Sequence, residues 1–373
     1  MKLTLQIQVL PDKSQADSLR QTIEHFNSAC SWLAEKAFHL KTANKVRLQQ
    51  LYYRDLRNKF SLSAQMAVRV IAKTCEAFKR DRNKLPRFKK HGAIPYDQRL
   101  MSFKGVDRVS LLTLRGRVIV PIVMGKYQRE RFTAAKGQCD LVLRKDGKWF
   151  LLACVDLPDK TPIPRTDFIG VDFGVVNIAT DSDGEQHPAD KIEACRIHFH
   201  ERRKKLQTIA ALKLKRKQRP QNVHRALQRI SGREARLRKD INHCISKQLV
   251  AKATDTKRGI AIEDLKGIRK RTRFRKKQRA QMSSWSFYQL RTFLEYKARL
   301  AGVEVKIVDP RNTSRTCPEC GHCEKKNRPT QEQFRCRACG YSANADVVGA
   351  LNIRARAKVN VPMESNSVYH AIA

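Results

Sequence analysis

Residues 2–9, KLTLQIQV, place Leu3, Leu5, Ile7 and Val9 on one side and Thr4, Gln6 and Gln8 on the other, the period-two alternation of a half-buried strand. The period then changes. Pro11, with Asp12 or Ser14 as a capping side chain, opens a stretch in which Leu19, Ile23, Phe26, Cys30, Leu33 and Ala37 recur every three or four positions, predicting a long amphipathic helix. Two more helices are expected over 45–60 and 62–80, the second carrying Met66, Val70, Ala72 and Phe78. From Val109 the texture is β, in VSLLTLRGRVIVPIVMG and then CDLVLRKDGKWFLLACVDL, where Asp146-Gly147 is a hairpin-turn signal. Strand, helices, then strands read as a small barrel-like β domain interrupted by a helical lobe. PDKTPIPR, residues 158–165, has three prolines and makes a linker.

Beyond it, Ile169–Phe173 is a short apolar strand with one acid, Asp172, in its middle, and Val176–Thr180 returns as a second strand before an Asp183-Gly184 turn. Residues 199–255 read as long basic helices containing ERRKKLQ, KLKRKQR and GREARLRK. A buried strand, Ile260–Ile262, runs into Glu263. A helix over 284–301 has Phe287, Leu290, Leu294, Ala298 and Ala301 along one side, Ser284 as cap and Gly302 as stop, and VEVKIVD follows as a strand. Strands alternating with helices from 166 onward indicate an α/β domain. The C-terminal tail lacks a periodic pattern and is expected to be disordered.

Composition adds a partner. The chain of 373 residues has 77 Lys+Arg against 35 Asp+Glu, a net charge of +42, which calls for a polyanion. No run reaches the ~20 apolar residues that span a bilayer, and the alternating start is unlike a signal peptide. Nucleic acid is therefore the expected partner, no membrane is, and the location is cytoplasmic or DNA-associated. Eleven cysteines without a secretory signal argue for a reducing compartment, where paired Cys-x-x-Cys reads as metal binding before disulfide.

Cys317-x2-Cys320 and Cys336-x2-Cys339 are two such pairs, separated by a polar loop and each followed by a glycine, Gly321 and Gly340. Two tight knuckles of this kind complete a tetrahedron of thiolates around one structural Zn2+, with no position left for water. Cys323 is a further thiol nearby and is read as a spectator.

Three acids occupy comparable contexts: Asp172 in its strand, Glu263 at the end of another, and Asp346 opening the small-residue helix ADVVGALNI. Each has a plain reading, as a strand-end turn former, a surface acid paired to Lys266 or Arg269, and a helix N-cap respectively. Aimed at one point, they would hold divalent cations, and two Mg2+ ions ~3.5–4 Å apart are suited to phosphodiester hydrolysis.

The stretches GVDFGVVNIAT, IAIEDLKGI, TSRTCPECG…FRCRACG and NADVVGALNI together resemble the RuvC-type nuclease of the TnpB (OrfB) family, transposon-encoded RNA-guided DNA endonucleases related to compact type V CRISPR effectors. The resemblance covers roughly 165–353 and extends more loosely to 1–165. It implies a multidomain α/β architecture: an RNase H-like (RuvC) nuclease domain with a zinc-ribbon insertion, preceded by a β-barrel wedge domain interrupted by a helical recognition lobe. The expected boundaries are 1–10 and 96–160 for the wedge, 11–95 for the helical domain, 166–310 and 341–356 for the nuclease, 311–340 for the zinc ribbon and 357–373 for the tail. Motif by motif, Asp172, Glu263 and Asp346 match the catalytic metal ligands, and Cys317, Cys320, Cys336 and Cys339 match the zinc ligands. The implied cofactors are two catalytic Mg2+, one structural Zn2+ and a guide RNA. The implied partner is target double-stranded DNA, cut next to a short recognition motif to leave a 5′-phosphate and 3′-hydroxyl, in a bacterial or archaeal cell. Family members can act as monomers.

Two basic tracts are the expected nucleic-acid contacts: Arg202, Arg203, Lys204, Lys205, Lys213, Lys215 and Arg216 in the first, and Arg269, Lys270, Arg271, Arg273, Arg275, Lys276 and Lys277 in the second. Aromatics make up only 7% of the chain, which favours backbone recognition over base stacking. Tyr53, Gln65 and Arg69 are candidate readers of the adjacent DNA motif. Three other readings stand beside the nuclease: a strand-transfer transposase, which would place Glu last among its acids; an actin-like ATPase, for which a second phosphate loop is missing; and a non-cutting RNA/DNA-binding regulator, against which the intact acids speak.

Overall fold

The computed structural model describes residues 1–132, 135–265 and 287–359, divided into two compact units, Met1–Pro158 and Asp159–Ala373. In the first unit β1 (Lys2–Val9) buries Leu5, Ile7 and Val9, as its alternation requires. Helix α1 (Lys13–His39) starts at a capping box. The Asp12 carboxylate accepts from Gln15 N at 2.8 Å, and the Gln15 side chain accepts from Asp12 N at 3.2 Å. Its buried stripe contains Leu19, Ile23, Phe26, Cys30, Leu33 and Ala37, the residues expected from spacing. Helices α2 (Lys45–Phe60) and α3 (Ala64–Phe78), capped by Asn44 and Ser63, complete the helical lobe.

The remaining strands are β2 (Ile94–Tyr96), β3 (Met101–Lys104), β4 (Arg108–Thr113), β5 (Gly116–Val123), β6 (Ala135–Leu143) and β7 (Trp149–Asp156), with a short helix α4 (Lys126–Phe132) before β6. Their order is β2-β6-β7-β1-β5-β4-β3. β1 pairs antiparallel with β7 along its whole length, from Lys2↔Asp156 to Val9↔Trp149, but with β5 only through Gln8↔Val123 and Val9↔Ile122. Among the described residues no pairing joins β2 to β3, so the ladder is open where a barrel was expected. The β region also begins at Ile94, two residues ahead of the expected boundary.

The second unit is built on a five-stranded sheet in the order β10-β9-β8-β11-β12, comprising β8 (Phe168–Asp172), β9 (Asn177–Asp181), β10 (Gln186–Pro188), β11 (Gly259–Glu263) and β12 (Val305–Val308). β8, β9 and β10 are antiparallel, whereas β11 runs parallel to both β8 and β12. The two central parallel strands are covered on both faces and are apolar almost throughout, as that burial demands. On one face Ile169, Val171, Ile260 and Ile262 pack with α7 (Arg233–Asp255) and α8 (Phe287–Ala301). On the other, Phe168 and Ala261 meet α9 (Ala345–Val359) through Ile353 and Ala357. Gly170 makes that contact possible: a Cβ there would stand 2.0 Å from Ala350 O.

Four sequence expectations need correction. Asp172 ends β8 and does not lie in its middle. The first basic helix, α5 (Asp190–Lys215), starts at Asp190, well before 199, because Asp190 and Glu193 in its first turn suit the positive end of the helix dipole; α6 (Gln221–Ile230) and α7 follow. The zinc-ribbon hairpin, β13 (Gln333–Arg335) with β14 (Ser342–Asn344), extends past 340. α9 runs to Val359, through the start of the expected tail, and 360–373 lie outside the described residues, as does the expected Ser284 cap. The proline-rich linker is docked on the second unit: Ile163 N donates to Gly302 O at 3.3 Å, and Arg165 N to Glu304 Oε2 at 2.9 Å.

Candidate active site and zinc-binding cluster

Side chains alternate along a strand, so Phe168, Gly170 and Asp172 share the α9 face of β8. By the same parity Ala261 and Glu263 share it on β11. The register Ile262↔Val171 sets the two acids side by side at the carboxyl ends of adjacent parallel strands, where open α/β sheets hold their ligands. α9 supplies the third acid. Asn344 caps this helix, its Oδ1 accepting from Asp346 N at 2.9 Å and Val347 N at 3.3 Å. Asp346 is thus relieved of capping, and its carboxylate is left to face the sheet.

The three acids line one cleft of about 370 Å³, together with Phe173, Thr313, Arg328 and Gln331 among others. Their electrostatics differ. Asp172 is pushed up to about 8, first by loss of surrounding water and then by the charges of Glu263 and Asp346, with the Arg328 guanidinium acting the other way. Burial also raises Glu263, opposed by a hydrogen bond from Thr313 and by the charge of Arg356. Asp346 accepts from Asn177 Nδ2 at 3.1 Å and from Arg328 Nη2 at 3.3 Å. Acids crowded until one resists ionising are a donor set short of positive charge, and all-oxygen donors of this kind suit Mg2+.

The four cysteines also come together. Cys317 Sγ and Cys339 Sγ are 3.6 Å apart, as are Cys320 Sγ and Cys336 Sγ, and all four sulfurs lie within 4.8 Å of one another without a disulfide. Thiolates ~2.3 Å from a shared Zn2+ would be about 3.8 Å apart, so the cluster fits that ion. Gly321 and Gly340, at φ +74° and +77°, turn the backbone after each pair. Cys323 lies outside the cluster and bridges to Thr316 through backbone. Cys317, Cys336 and Phe334 pack against Ala345 and Val348, so the ribbon rests on the first turn of the helix that carries Asp346.

Of the expected nucleic-acid contacts, Arg202, Lys204, Lys205, Lys215 and Arg216 are exposed on α5, while Arg203 and Lys213 are half-buried and Arg203 pairs with Glu234 at 3.2 Å. Arg269, Lys270, Arg271, Arg273, Arg275, Lys276 and Lys277 fall outside the described residues. Gln65 and Arg69 are both engaged with Asp97, the latter at 2.8 Å, and Tyr53 lies 6.0 Å from the Arg57 guanidinium. Sequence reasoning did not single out Asn177, Thr313, Arg328 or Asn352. Their only signal was position, inside or beside the quoted motifs. Among the described residues no helix is long and apolar enough to cross a membrane.

Residues 153–282 match a family described as "Probable transposase" of the OrfB type, and 287–353 match the "Cas12f1-like, TNB domain" family. InsQ of Escherichia coli (strain K12), assigned as an RNA-guided DNA endonuclease, is 29% identical over 319 residues, spanning 80% of this chain and 75% of that protein. A TnpB-like protein of Methanocaldococcus jannaschii is 28% identical over 271 residues, 68% of this chain and 92% of that one. A CRISPR-associated endodeoxyribonuclease Cas12f1 of Sulfoacidibacillus thermotolerans is 31% identical over 221 residues, 56% and 50% of the two chains. Among solved structures, a Cas12f1 in complex with sgRNA and target DNA shares the fold, with a TM-score of 0.58 and 14% identity over 92% of this chain and 83% of that one.

Proposed function

We propose, from the premise that this chain belongs to the TnpB (OrfB) family, that it is an RNA-guided DNA endonuclease whose hydrolytic centre is the cleft between β8, β11 and α9. The observation that carries the reading is the meeting of Asp172, Glu263 and Asp346 in one cleft from three separate elements. The strand order of the second unit, antiparallel at β8, β9 and β10 and parallel from β8 through β12, supports assigning it as the RNase H-like (RuvC) domain, with the four-cysteine ribbon inserted before α9. The first unit would then be the wedge and recognition region.

In this reading the three carboxylates hold the catalytic cations, which when bound supply a water of lowered pKa and neutralise charge at the leaving oxygen. Asp172 and Glu263 are fixed by the strands they end, and Asp346 by its helix, by Asn177 and by Arg328. Arg328 is also the cation of the cleft wall, placed to meet a phosphate oxygen. Exposed Arg202, Lys204, Lys205, Lys215 and Arg216 would follow a nucleic-acid backbone. Guide and target DNA are proposed as partners because the relatives that share the site carry those words in their names. No observation favours strand transfer or a non-cutting role.

The test is to express the protein with its flanking transposon sequence and sequence the RNA that co-purifies. A guide rebuilt to match a plasmid is then supplied. Guide-dependent linearisation in Mg2+ is expected; cutting that ignores the guide, or no retained RNA, would overturn the reading.

A further inference from the structure

Glu263 ends β11 almost enclosed, at 8% exposure, so its carboxylate oxygens reach the cleft only in a fixed rotation. Thr313 Oγ lies 2.5 Å from Glu263 Oε1 and 3.1 Å from Pro310 O. A hydroxyl has one proton to give, and an ionised carboxylate at the shorter distance takes it, since charge-assisted O–H···O bonds are the shorter and stronger kind. Thr313 is held in turn. Asn352 Nδ2 donates to Thr313 O at 2.6 Å and to Thr316 O at 2.8 Å, using both amide protons, and Asn352 and Thr313 are both buried. The turn between them is closed by Arg315 N and Thr316 N donating to Asn312 O at 3.0 and 3.1 Å.

We infer that Asn352 and Thr313 form a positioning relay, in which α9 clamps the turn over residues 312–316 and the Thr313 hydroxyl sets the rotation of Glu263 for cation binding. The inference rests on Glu263 being a cation ligand as proposed above. Asn352 stands on the same helix as Asp346, so the relay refers two acids from separate elements to one rigid body. Thr316 directly precedes Cys317, so the zinc cluster anchors the far end of the turn. Partners of this kind are known to orient ligands around metals and to raise affinity by holding them still.

A purely packing role and a positioning role separate on one atom. Thr313→Val keeps the shape and loses the hydroxyl, whereas Thr313→Ser keeps the hydroxyl and loses a methyl. The probe is Mn2+ alone, titrated by calorimetry into the full chain, with zinc content and thermal unfolding followed in parallel. Expected is an Mn2+ affinity about 10–100-fold weaker in Thr313→Val, and within about threefold of wild type in Thr313→Ser, at unchanged zinc content. Asn352→Ala should weaken binding too, and its combination with Thr313→Val should be no worse than Thr313→Val alone, because serial links do not add. Thr313→Ala repeats the hydroxyl loss should the valine variant not fold. Wild-type affinity in Thr313→Val, equal damage in Thr313→Ser, or losses that multiply in the double variant would each overturn the relay. Glu263→Gln separates the levels. If it weakens Mn2+ binding while Thr313→Val does not, the relay alone falls; if it binds as wild type, the ligand assignment falls and the relay with it.

Discussion

Gly349 on α9 faces Asp172 on β8 so closely that a Cβ on the glycine would stand 2.9 Å from Asp172 Oδ2 and 3.2 Å from its Cγ. Helix and carboxylate share space that only hydrogen can occupy.

Gly349→Ala therefore displaces the first acid. The atoms that must move are the end of a side chain, so the fold yields easily and the cost falls on the carboxylate's position. A misplacement of this order is expected to slow cleavage about 10–100-fold, with a stability loss at the lower end of about 1–3 kcal/mol. Gly170→Ala is the contrast, because its Cβ would meet backbone, Ala350 O at 2.0 Å and Arg354 N at 2.6 Å. That variant should lose stability outright. Single-turnover cleavage and thermal unfolding of both variants check the pair, and Gly349→Ala cutting at the wild-type rate would contradict it.

Cys336→Ser should release zinc and loosen the start of α9. Cys317 and Cys336 pack with Phe334, Ala345 and Val348, and Ala345 N donates to Glu332 O at 2.8 Å, so the ribbon supports the turn that carries Asp346. The expected result is zinc loss by elemental analysis together with new proteolytic cuts between 330 and 350. An unchanged digestion pattern in zinc-free protein would separate ribbon from helix.

Asp167 links the start of β8 to the later turns of α9. Its carboxylate takes Arg354 Nε at 3.0 Å and Arg354 Nη2 at 2.6 Å, with Lys358 Nζ at 3.1 Å. The Arg354 hydrogen bonds, then Lys358 and the Phe168 amide, hold this acid well below the usual carboxylate range despite partial desolvation. A depressed acid contributes stability that is present above the unfolded value near 4 and lost as pH falls through the folded one. The groups are about one-third exposed, so the contribution is about 1 kcal/mol, or about 2–4 °C in melting temperature. Asp167→Asn should show that deficit at neutral pH and converge on wild type in acid. A deficit of equal size at every pH would contradict this.

The fold was legible wherever one face of an element is buried. Leu5, Ile7 and Val9 alternated, and Leu19, Ile23, Phe26 and Cys30 kept helical spacing, because those side chains alone had to find the core. Legibility failed where the deciding contact is tertiary. No local pattern tells an open ladder from a closed barrel, and α5 starts at Asp190 for reasons of charge, with only Ile192 and Ala210 buried along its length. The acids were visible as charges in apolar company, and the cysteines through their spacing. Asn177, Thr313, Arg328 and Asn352 were not, since a polar residue in a loop or helix shows its partner only once the chain has folded.

The most direct test of the three-acid centre is guide-directed cleavage by Asp172→Ala set beside target binding by the same protein. Asp172 supplies a carboxylate to the cleft and nothing to the basic face of α5. The expected result is cleavage reduced by at least about a thousandfold, roughly 4 kcal/mol in the barrier, with target affinity within about twofold of wild type. Cutting that persists at the wild-type rate, or cutting and binding lost together, would contradict the assignment.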